Sequence, residues 1–416
     1  MNIFICLIGS NPLPNFVVCS YLRSKERDDI EILPIPQKFI FVHSVETKLF
    51  KDQIAKLLKL DSSSLFSISL NDERDWIEII DRITSTLERV SQQSKIKSIH
   101  INFTGGTKPM AVFNYNTVND FAKNRVIDFI SSDISPKDYK LQVIKNHEEC
   151  PRCPLKGDLR DVINISLKDI LELHNMSIGS TKKLGSTEPT YSINLENIKN
   201  DVCNDKIKQT QNMKGQSDFY NATTAARGFK EVIQRDKNYS PPKNKITEYY
   251  NNISNHLISY EFLEPGEKNL DEFKKLIGFV DGTWLEDYIL ECIKEVKGDY
   301  KLDDIRRSIE PNYKNRKCEI DVVARRGYQL FLFSCTTAKE IKEVKLKAFE
   351  VMYRASQLGG GHTKAVMIHM LPNYESKQLE LDLSSFDAQQ NITTIGLDEL
   401  IDNDKLQDKL KEVLDN

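Results

Sequence analysis

The chain has 416 residues, which at about 150 residues per domain is enough for two or three domains. Its 58 Lys+Arg and 61 Asp+Glu give a formal net charge of −3, which excludes a histone-like polycation and leaves any polyanion to be met by a local patch. With 39% hydrophobic and 29% charged residues, and no apolar run near the roughly 20 residues that cross a bilayer, the composition argues against a disordered chain and against a helical membrane protein.

From residue 1 to 145 apolar runs alternate with amphipathic ones. Strands are predicted at Ile3–Ile8, Lys38–His43, Leu65–Leu70, Ser98–Phe103 and Val126–Ser131, with helices near 15–26, 46–59, 73–92 and 107–123. This βαβα rhythm predicts an α/β fold with a parallel, Rossmann-like sheet, whose ligands sit beyond the carboxyl ends of the strands. Ile3–Ile8 is short and has no basic stretch before it, so it reads as a buried strand rather than a signal peptide. Residues 146–279 are rich in Ser, Thr, Asn and Lys and read as a polar connector with small elements, a strand at Asp161–Leu167 and short helices at 168–174 and 268–278. Residues 280–416 read as a second α/β unit. It comprises an amphipathic helix Trp284–Val296, a hairpin of Cys318–Ala324 and Tyr328–Cys335 turning at 325–327, a helix near 338–357 stopped by Gly359–Gly360–Gly361, and a strand Lys364–Met370. Five of the eight cysteines (Cys6, Cys19, Cys292, Cys318, Cys335) fall in apolar or periodic segments, as small hydrophobes do in a reducing cytoplasm. Cys150 and Cys153 form a C-x-x-C without a second pair at zinc spacing and read as loop thiols.

Directly after the strand at 98–103 comes Thr104–Gly105–Gly106–Thr107–Lys108–Pro109–Met110, opening the next helix. Two glycines allow close backbone approach, a helix start offers free N–H groups and a positive dipole end, and Thr107 and Lys108 add a hydroxyl and a charge, so the turn suits an anion. A plain tight turn with a solvated Lys108 is the alternative. The spacing is not that of a Walker A loop, and Gly9 is followed by Ser10–Asn11–Pro12–Leu13–Pro14–Asn15 rather than G-x-G-x-x-G, so a dinucleotide cofactor is not expected. The stretch Asn102–Ala111 closely resembles the ligand-sensing motif of CRISPR-associated Rossmann fold (CARF) domains, and the Pro14–Asn15 turn is similar to that family too. The resemblance implies a homodimer that binds cyclic oligoadenylate, cyclic tetra-adenylate by the family's habit. Ser10, Asn11 and Asn15 would line one side of the pocket, and Thr104, Gly105, Gly106, Thr107, Lys108 and Met110 the other. An isologous dimer would present the same donors twice to a symmetric ring of phosphates.

In the C-terminal unit, Gly282–Thr283–Trp284–Leu285–Glu286, the strand Cys318–Glu319–Ile320–Asp321 and the later Leu358–Gly359–Gly360 resemble the restriction-endonuclease-like, PD-(D/E)xK half of the CARF nucleases of type III CRISPR defence. The resemblance implies Mg²⁺ or Mn²⁺ held by carboxylates, with Glu286 as the helix carboxylate and Asp321 as the central ligand. Where that family carries Glu-x-Lys, this chain has Ser334–Cys335–Thr336. In one reading the missing groups have moved to the next helix, where Glu343, Lys347 and Glu350 share a face at i, i+4 and i+7. The catalytic set is then Glu286, Asp321, Ser334, Thr336, Lys347 and Glu350, the metal ligands Glu286, Asp321 and Glu350, and the activity a ligand-switched, sequence-neutral cleavage of DNA and/or RNA. In another the domain is inactive and signals to a partner, the helix residues being a solvated face with i,i+4 pairs. A third has the N-terminal pocket degrade its own messenger through Lys108. Arg306, Arg307, Lys314, Arg316, Lys317, Arg325 and Arg326 cluster near the proposed site and are expected to attract a phosphate backbone.

Overall fold

The computed structural model describes the chain apart from residues 26, 28, 136, 147, 150–156, 179–183, 212, 236–241, 265–267, 314, 315, 318, 387–391 and 416. The C-x-x-C of Cys150 and Cys153 therefore lies outside the described residues. The N-terminal sheet comprises β1 (Asn2–Ile8), β2 (Lys38–Ser44), β3 (Leu65–Leu70), β4 (Ser98–Asn102), β5 (Asp128–Ile134), β6 (Leu141–Lys145) and β7 (Glu148–Glu149), in the spatial order β3-β2-β1-β4-β5-β6-β7. β1 to β5 are parallel and the last two pairings antiparallel. The chain winds outward from β1 to β3, then returns to the other side of β1 for β4. The direction of winding therefore reverses between β1 and β4, and the loops after these two strands flank the crevice that such a reversal opens.

β1 is apolar on both faces because helices cover both. α1 (Leu13–Arg23) and α2 (Lys48–Leu57) share one core with Phe4, Cys6 and Ile8, whereas α3 (Trp76–Gln93) and α4 (Lys108–Lys123) share another with Ile3, Ile5 and Leu7. The fifth strand starts two residues later than expected, since Val126 sits exposed in the turn after α4 with φ 55°. The strand expected at Asp161–Leu167 is instead the end of α5 (Leu159–Val162) and the start of α6 (Leu167–Leu173). Asp158 accepts from the Arg160 N–H and Ser166 from the Asp169 N–H, and these caps outweigh the β-branched residues between them.

Among the described residues, most of the rest of the polar stretch is helical. After β8 (Ser177–Ile178) come α7 (Leu195–Thr210), α8 (Asp218–Arg235), α9 (Lys243–Asn255) and α10 (Leu270–Gly278), followed by α11 (Trp284–Glu295). The asparagines that look like loop punctuation are caps: Asn194 accepts from Asn197 N–H and Asn269 from Asp271 and Glu272 N–H. Next follow β9 (Asp304–Ile309), β10 (Pro311–Tyr313), β11 (Arg316–Lys317), β12 (Ile320–Arg326), β13 (Gln329–Thr336), α12 (Ile341–Gly359), β14 (Thr363–His369), α13 (Asn373–Ser384), β15 (Ile392–Ile395), α14 (Leu397–Ile401) and α15 (Asn403–Asp415). The main C-terminal sheet has the order β15-β14-β13-β12-β9, with the β12–β13 hairpin turning at Gly327–Tyr328, where Gly327 has φ 59°. β8, β10 and β11 form a small sheet of their own.

On one face of the main C-terminal sheet, Ile198, Phe219, Tyr250, Phe273 and Trp284 from α7 to α11 pack with Val322, Ala324, Phe331 and Phe333. The polar stretch is thus a structural layer rather than a tether. On the other face, Val351, Ala355 and Leu358 of α12 share a core with Leu330, Leu332 and Ala365 beneath and with Leu13 and Val17 of α1 above. No helix among the described residues is long and apolar enough to cross a membrane. Because Leu358 is fully enclosed in the core common to both domains, Leu358→Ala is expected to cost roughly 2–4 kcal/mol in urea unfolding. Leu346→Ala on the solvent side of the same helix should stay within about 0.5 kcal/mol of the parent.

Candidate functional sites

The crevice between β1 and β4 is built by backbone contact between two loops. A Cβ on Gly9 would stand 2.8 Å from the Gly106 nitrogen, and one on Gly105 would stand 2.3 Å from the Leu7 carbonyl oxygen and 2.5 Å from Asn15 Oδ1. Gly106 has φ 79°, so both glycines are required by geometry. Thr107 caps α4 by accepting from the Met110 N–H, and Pro109 occupies the first turn, where its missing N–H costs nothing. Beneath the loop, Asn102 Nδ2 donates to Ser132 O and Oγ and to Thr104 Oγ1, which also accepts from the Ile134 N–H. His100 shares Ser132 Oγ at 2.7 Å, and burial holds its imidazole pKa down at about 3, so it stays neutral.

The structure sorts the expected pocket residues into two groups. Ser10 and Lys108 are exposed and Asn11, Gly105, Gly106, Thr104 and Thr107 are partly exposed at the crevice mouth. Asn15 and Met110 turn inward instead. Asn15 is fully buried and donates to Leu7 O and Cys6 Sγ, tying α1 to β1, while Met110 packs under Gly106 in the core. Asn11 also looks away from the crevice: its Oδ1 accepts from the Leu13 N–H and lies 3.3 Å from His174 Nε2, and its amide nitrogen would touch a Cβ on Gly360.

The second site lies where α11 meets the β12–β13 hairpin. Asp321 Oδ2 accepts from the Cys335 N–H at 2.7 Å and from Ser334 Oγ at 3.2 Å, while Glu286 accepts from Ser308 Oγ at 3.4 Å. Burial, then repulsion from Asp321, pushes the Glu286 carboxyl up to about 8, with Arg307 opposing. Asp321 is raised by burial as well, against the Cys335 N–H, Lys347 and Ser334 that favour its charged form. Glu319, one pleat from Asp321 on the same strand face, is raised by burial and by Asp321 and belongs with this pair. Its period-2 spacing was the signal that could have marked it as a site residue.

Of the other expected residues, Ser334 and Lys347 reach the site, Lys347 Nζ donating to the Cys335 carbonyl at 3.4 Å. Glu350 bears electrostatically on Asp321, yet its carboxylate is exposed and faces Arg354 at 3.5 Å, so it does not join the cluster. Thr336 is buried and caps the following turn by accepting from the Ala338 N–H. Among the described residues no three His, Cys, Asp or Glu side chains converge into a closed metal cage. Two partly buried, mutually repelling carboxylates with a third nearby are nevertheless the donor chemistry for a hard divalent cation that keeps waters of its own.

The expected basic cluster is corrected at four of its positions. Arg307 pairs with Asp287, Arg306 with Asp304, Arg325 with Asp303, and Arg326 with Asp158 and Asp161. These charges brace the hairpin and the helices around it and are not free for a polyanion. Lys314 lies outside the described residues.

Residues 3–151 match the family model described as the Card1 CARF domain. The whole chain has the fold of Can2 from Sulfobacillus thermosulfidooxidans, solved in complex with cyclic tetra-adenylate (cA4), with TM-score 0.63 and 14% identity over 100% of this chain and 99% of that one. It is similarly close to the protein VC1899 from Vibrio cholerae, with TM-score 0.65 and 14% identity over 99% of this chain and 98% of that one. No curated protein matches it. The chain therefore has an N-terminal CARF domain joined to a second α/β domain.

Gly105→Ala places a methyl against the Leu7 carbonyl and should destabilise the protein by roughly 1–3 kcal/mol in denaturant titration, since backbone rather than a flexible side chain must yield. At the second site the sign follows from the raised acid. Below pH 4.5 the Glu286 carboxyl is protonated whether folded or not, and its cost to folding grows as pH rises from there to about 8. Glu286→Gln should therefore melt about 3 °C higher than the parent at pH 8 in chelator and at the same temperature at pH 4, by differential scanning calorimetry.

Proposed function

We propose that the chain is a sensor-effector of type III CRISPR defence. Cyclic oligoadenylate, in the first place cyclic tetra-adenylate, binds a homodimer of CARF domains and activates a divalent-metal nuclease in the second domain that cuts DNA and/or RNA. The observation that carries the nuclease half is the partly buried pair Glu286–Asp321, held by Ser308, Ser334 and the Cys335 N–H although like charges repel there. A folded protein carries that cost where function uses it. The sensing half rests on the matched CARF domain, the fold shared with cA4-bound Can2, and a loop whose glycines bring backbone to the crevice mouth beside Lys108.

Supporting the dimer, Trp76 and Ile77 at the start of α3 and Val112 in the first turns of α4 are more than half exposed, and Trp76 stacks near Phe113. These apolar groups lie at the same end of their helices as the crevice, where a second copy would complete a symmetric pocket. Coupling between the domains follows the loop after β1. Asn11 abuts His174 and Gly360, and Leu13 lies against Gly359 at the end of α12, the helix whose Lys347 reaches the Cys335 carbonyl beside Asp321. A ligand that prefers one placement of this loop thereby favours one placement of α12.

In the proposed reaction Asp321 and Glu286 would hold Mg²⁺ or Mn²⁺, with Glu319 next to them, and the metal would supply an activated water and charge neutralisation at the phosphate. Ser334 and the Cys335 N–H orient the Asp321 carboxylate. Lys347, one turn along α12 from its buried Val344, brings a positive charge to the same edge. Thr336 takes no part, so the cation of the usual Glu-x-Lys comes from the helix rather than the strand.

A ligand-depleted preparation is expected to elute as a dimer and to bind one cyclic tetra-adenylate per two chains by calorimetry. Plasmid and single-stranded substrates should be cut only with that ligand and Mg²⁺ or Mn²⁺ together, and Asp321→Ala should lose at least about 10²-fold in rate. Binding without cleavage of either substrate would leave the second domain as an inactive signalling module. Independently of activity, Mg²⁺ should raise the melting temperature at pH 8, and Asp321→Ala should abolish that rise.

A further inference from the structure

Arg306, Arg307, Arg325 and Arg326 are neutralised by their own carboxylates, and a different set of cations faces a cleft. A cleft of about 510 Å³ opens between α7, α8, the turn at 279–283 and the segment 337–343 that follows β13. Lys206 enters it from α7, Arg227 from α8 and Lys339 from the segment after β13, so three separate elements converge three positive charges. Among the described residues none of the three has a carboxylate within ion-pair distance. The acids of the cleft have other engagements: Asp281 pairs with Lys230, and Asp205 accepts from Ser217 Oγ and the Gln216 N–H and faces Lys208. Glu340 and Glu343 remain at the exposed rim.

Lys206 is the informative member. It donates to the Thr337 carbonyl at 3.1 Å, and burial followed by repulsion from Lys339 and Arg227 lowers its ammonium pKa to about 8. Uncompensated like charges drawn together in a concave, partly dehydrated place are what an oxyanion relieves. The cleft shares no lining residue with the carboxylate site but lies close to it along two chain segments. Its lining residue Thr337 directly follows Thr336 at the end of β13, and Trp284 in its wall stands two residues before Glu286. Within the cleft, Thr337 Oγ1 donates to the Asp281 carbonyl and joins the π-turn at 279–283 to the end of β13.

We infer that this cleft is the phosphate-binding site for the substrate strand, in which Lys206, Arg227 and Lys339 hold a backbone phosphodiester next to the Glu286–Asp321 centre. The inference rests on the nuclease reading. The site holds the backbone by charge, and it assigns to α7 and α8 of the polar stretch a part in substrate capture.

The test uses the full chain carrying Asp321→Ala, so that nothing is cut, and the binding of a fluorescein-labelled 20-mer in single-stranded and duplex form, measured by anisotropy across salt concentrations. Adding Lys206→Gln, Arg227→Gln and Lys339→Gln together should weaken binding at least about tenfold and reduce the steepness of log K against log salt by about 2, and inorganic pyrophosphate should compete only when the three cations are present. Because Lys206 is partly buried, the exposed pair Arg227→Gln and Lys339→Gln is measured separately. It should show about two-thirds of the change in slope with an unaltered melting temperature. Equal affinity and slope in parent and variants overturns the inference, as does pyrophosphate binding to the three cations without oligonucleotide binding. If the otherwise unaltered protein cuts no substrate yet the cations govern oligonucleotide binding, the nuclease reading fails and the cleft stands. If cleavage is unchanged by removing all three, the cleft fails and the nuclease reading stands.

Discussion

Helix α12 is wedged between the two domains, and the remainder of the molecule is organised around that wedge. Val351, Ala355 and Leu358 lie in one apolar core with Leu13 and Val17 from the first domain and Leu330, Leu332 and Ala365 from the second. The other half of the helix packs Val344 and Ala348 on Met367. A core at crystal-like density does not absorb a displacement of one wall by compressing. The crevice loop after β1 and the carboxylate centre at the β12–β13 hairpin are therefore parts of one packed body. The close approach has its own requirement. A Cβ on Gly359 would stand 2.1 Å from Thr363 Oγ1, and Gly360 takes φ 55° beside the Asn11 amide, so the turn that ends the helix next to the loop is a glycine turn.

Burial is used in opposite ways at the two sites. Under the crevice, the Asn102 amide nitrogen and His100 are held by Ser132 and Thr104, and these polar groups form a base on which the Gly105–Gly106 loop rests. At the hairpin, burial puts Glu286 and Asp321 together with too little counter-charge, and the result is a carboxyl pushed up to about 8. The first arrangement gives rigidity. The second stores electrostatic free energy that a cation or a proton releases, which is why stability and proton uptake are coupled there. The same contrast separates the hairpin arginines, each already holding an acid, from Lys206, Arg227 and Lys339, which hold none.

The βα rhythm of the first domain was legible because fully buried parallel strands must be apolar throughout and their helices amphipathic, so period alone separates them. Gly105 and Gly106 were legible because a tight approach leaves no substitute for glycine, and Glu286, Asp321 and Ser334 through the resemblance of their segments to the restriction-endonuclease-like motif. The strand expected at Asp161–Leu167 was misread because a side chain accepting from a backbone N–H two or three residues on, as at Asp158 and Ser166, leaves no periodic trace. The helices α7 to α9 were missed for a related reason: each buries a narrow stripe such as Ile198 and Cys203 or Tyr250 and Ile253, while its caps and outer face look like loop.

By itself, then, the sequence determined the βα alternation of the first domain, the hairpin and the helix before Gly359 in the second, and where the glycine turn falls, since these depend on local period and residue type. Only the tertiary structure decided where side chains point and with whom they pair. It turned Asn15 and Met110 into the core, set Glu350 against Arg354 outside the carboxylate cluster, used Thr336 as a cap and brought Glu319 beside Asp321. It also gave the conspicuous arginines to structural ion pairs and gathered three unremarkable cations, 133 positions apart at their extremes (206 to 339), around one cleft. Charge pairing is a through-space property, and no count along the chain contains it.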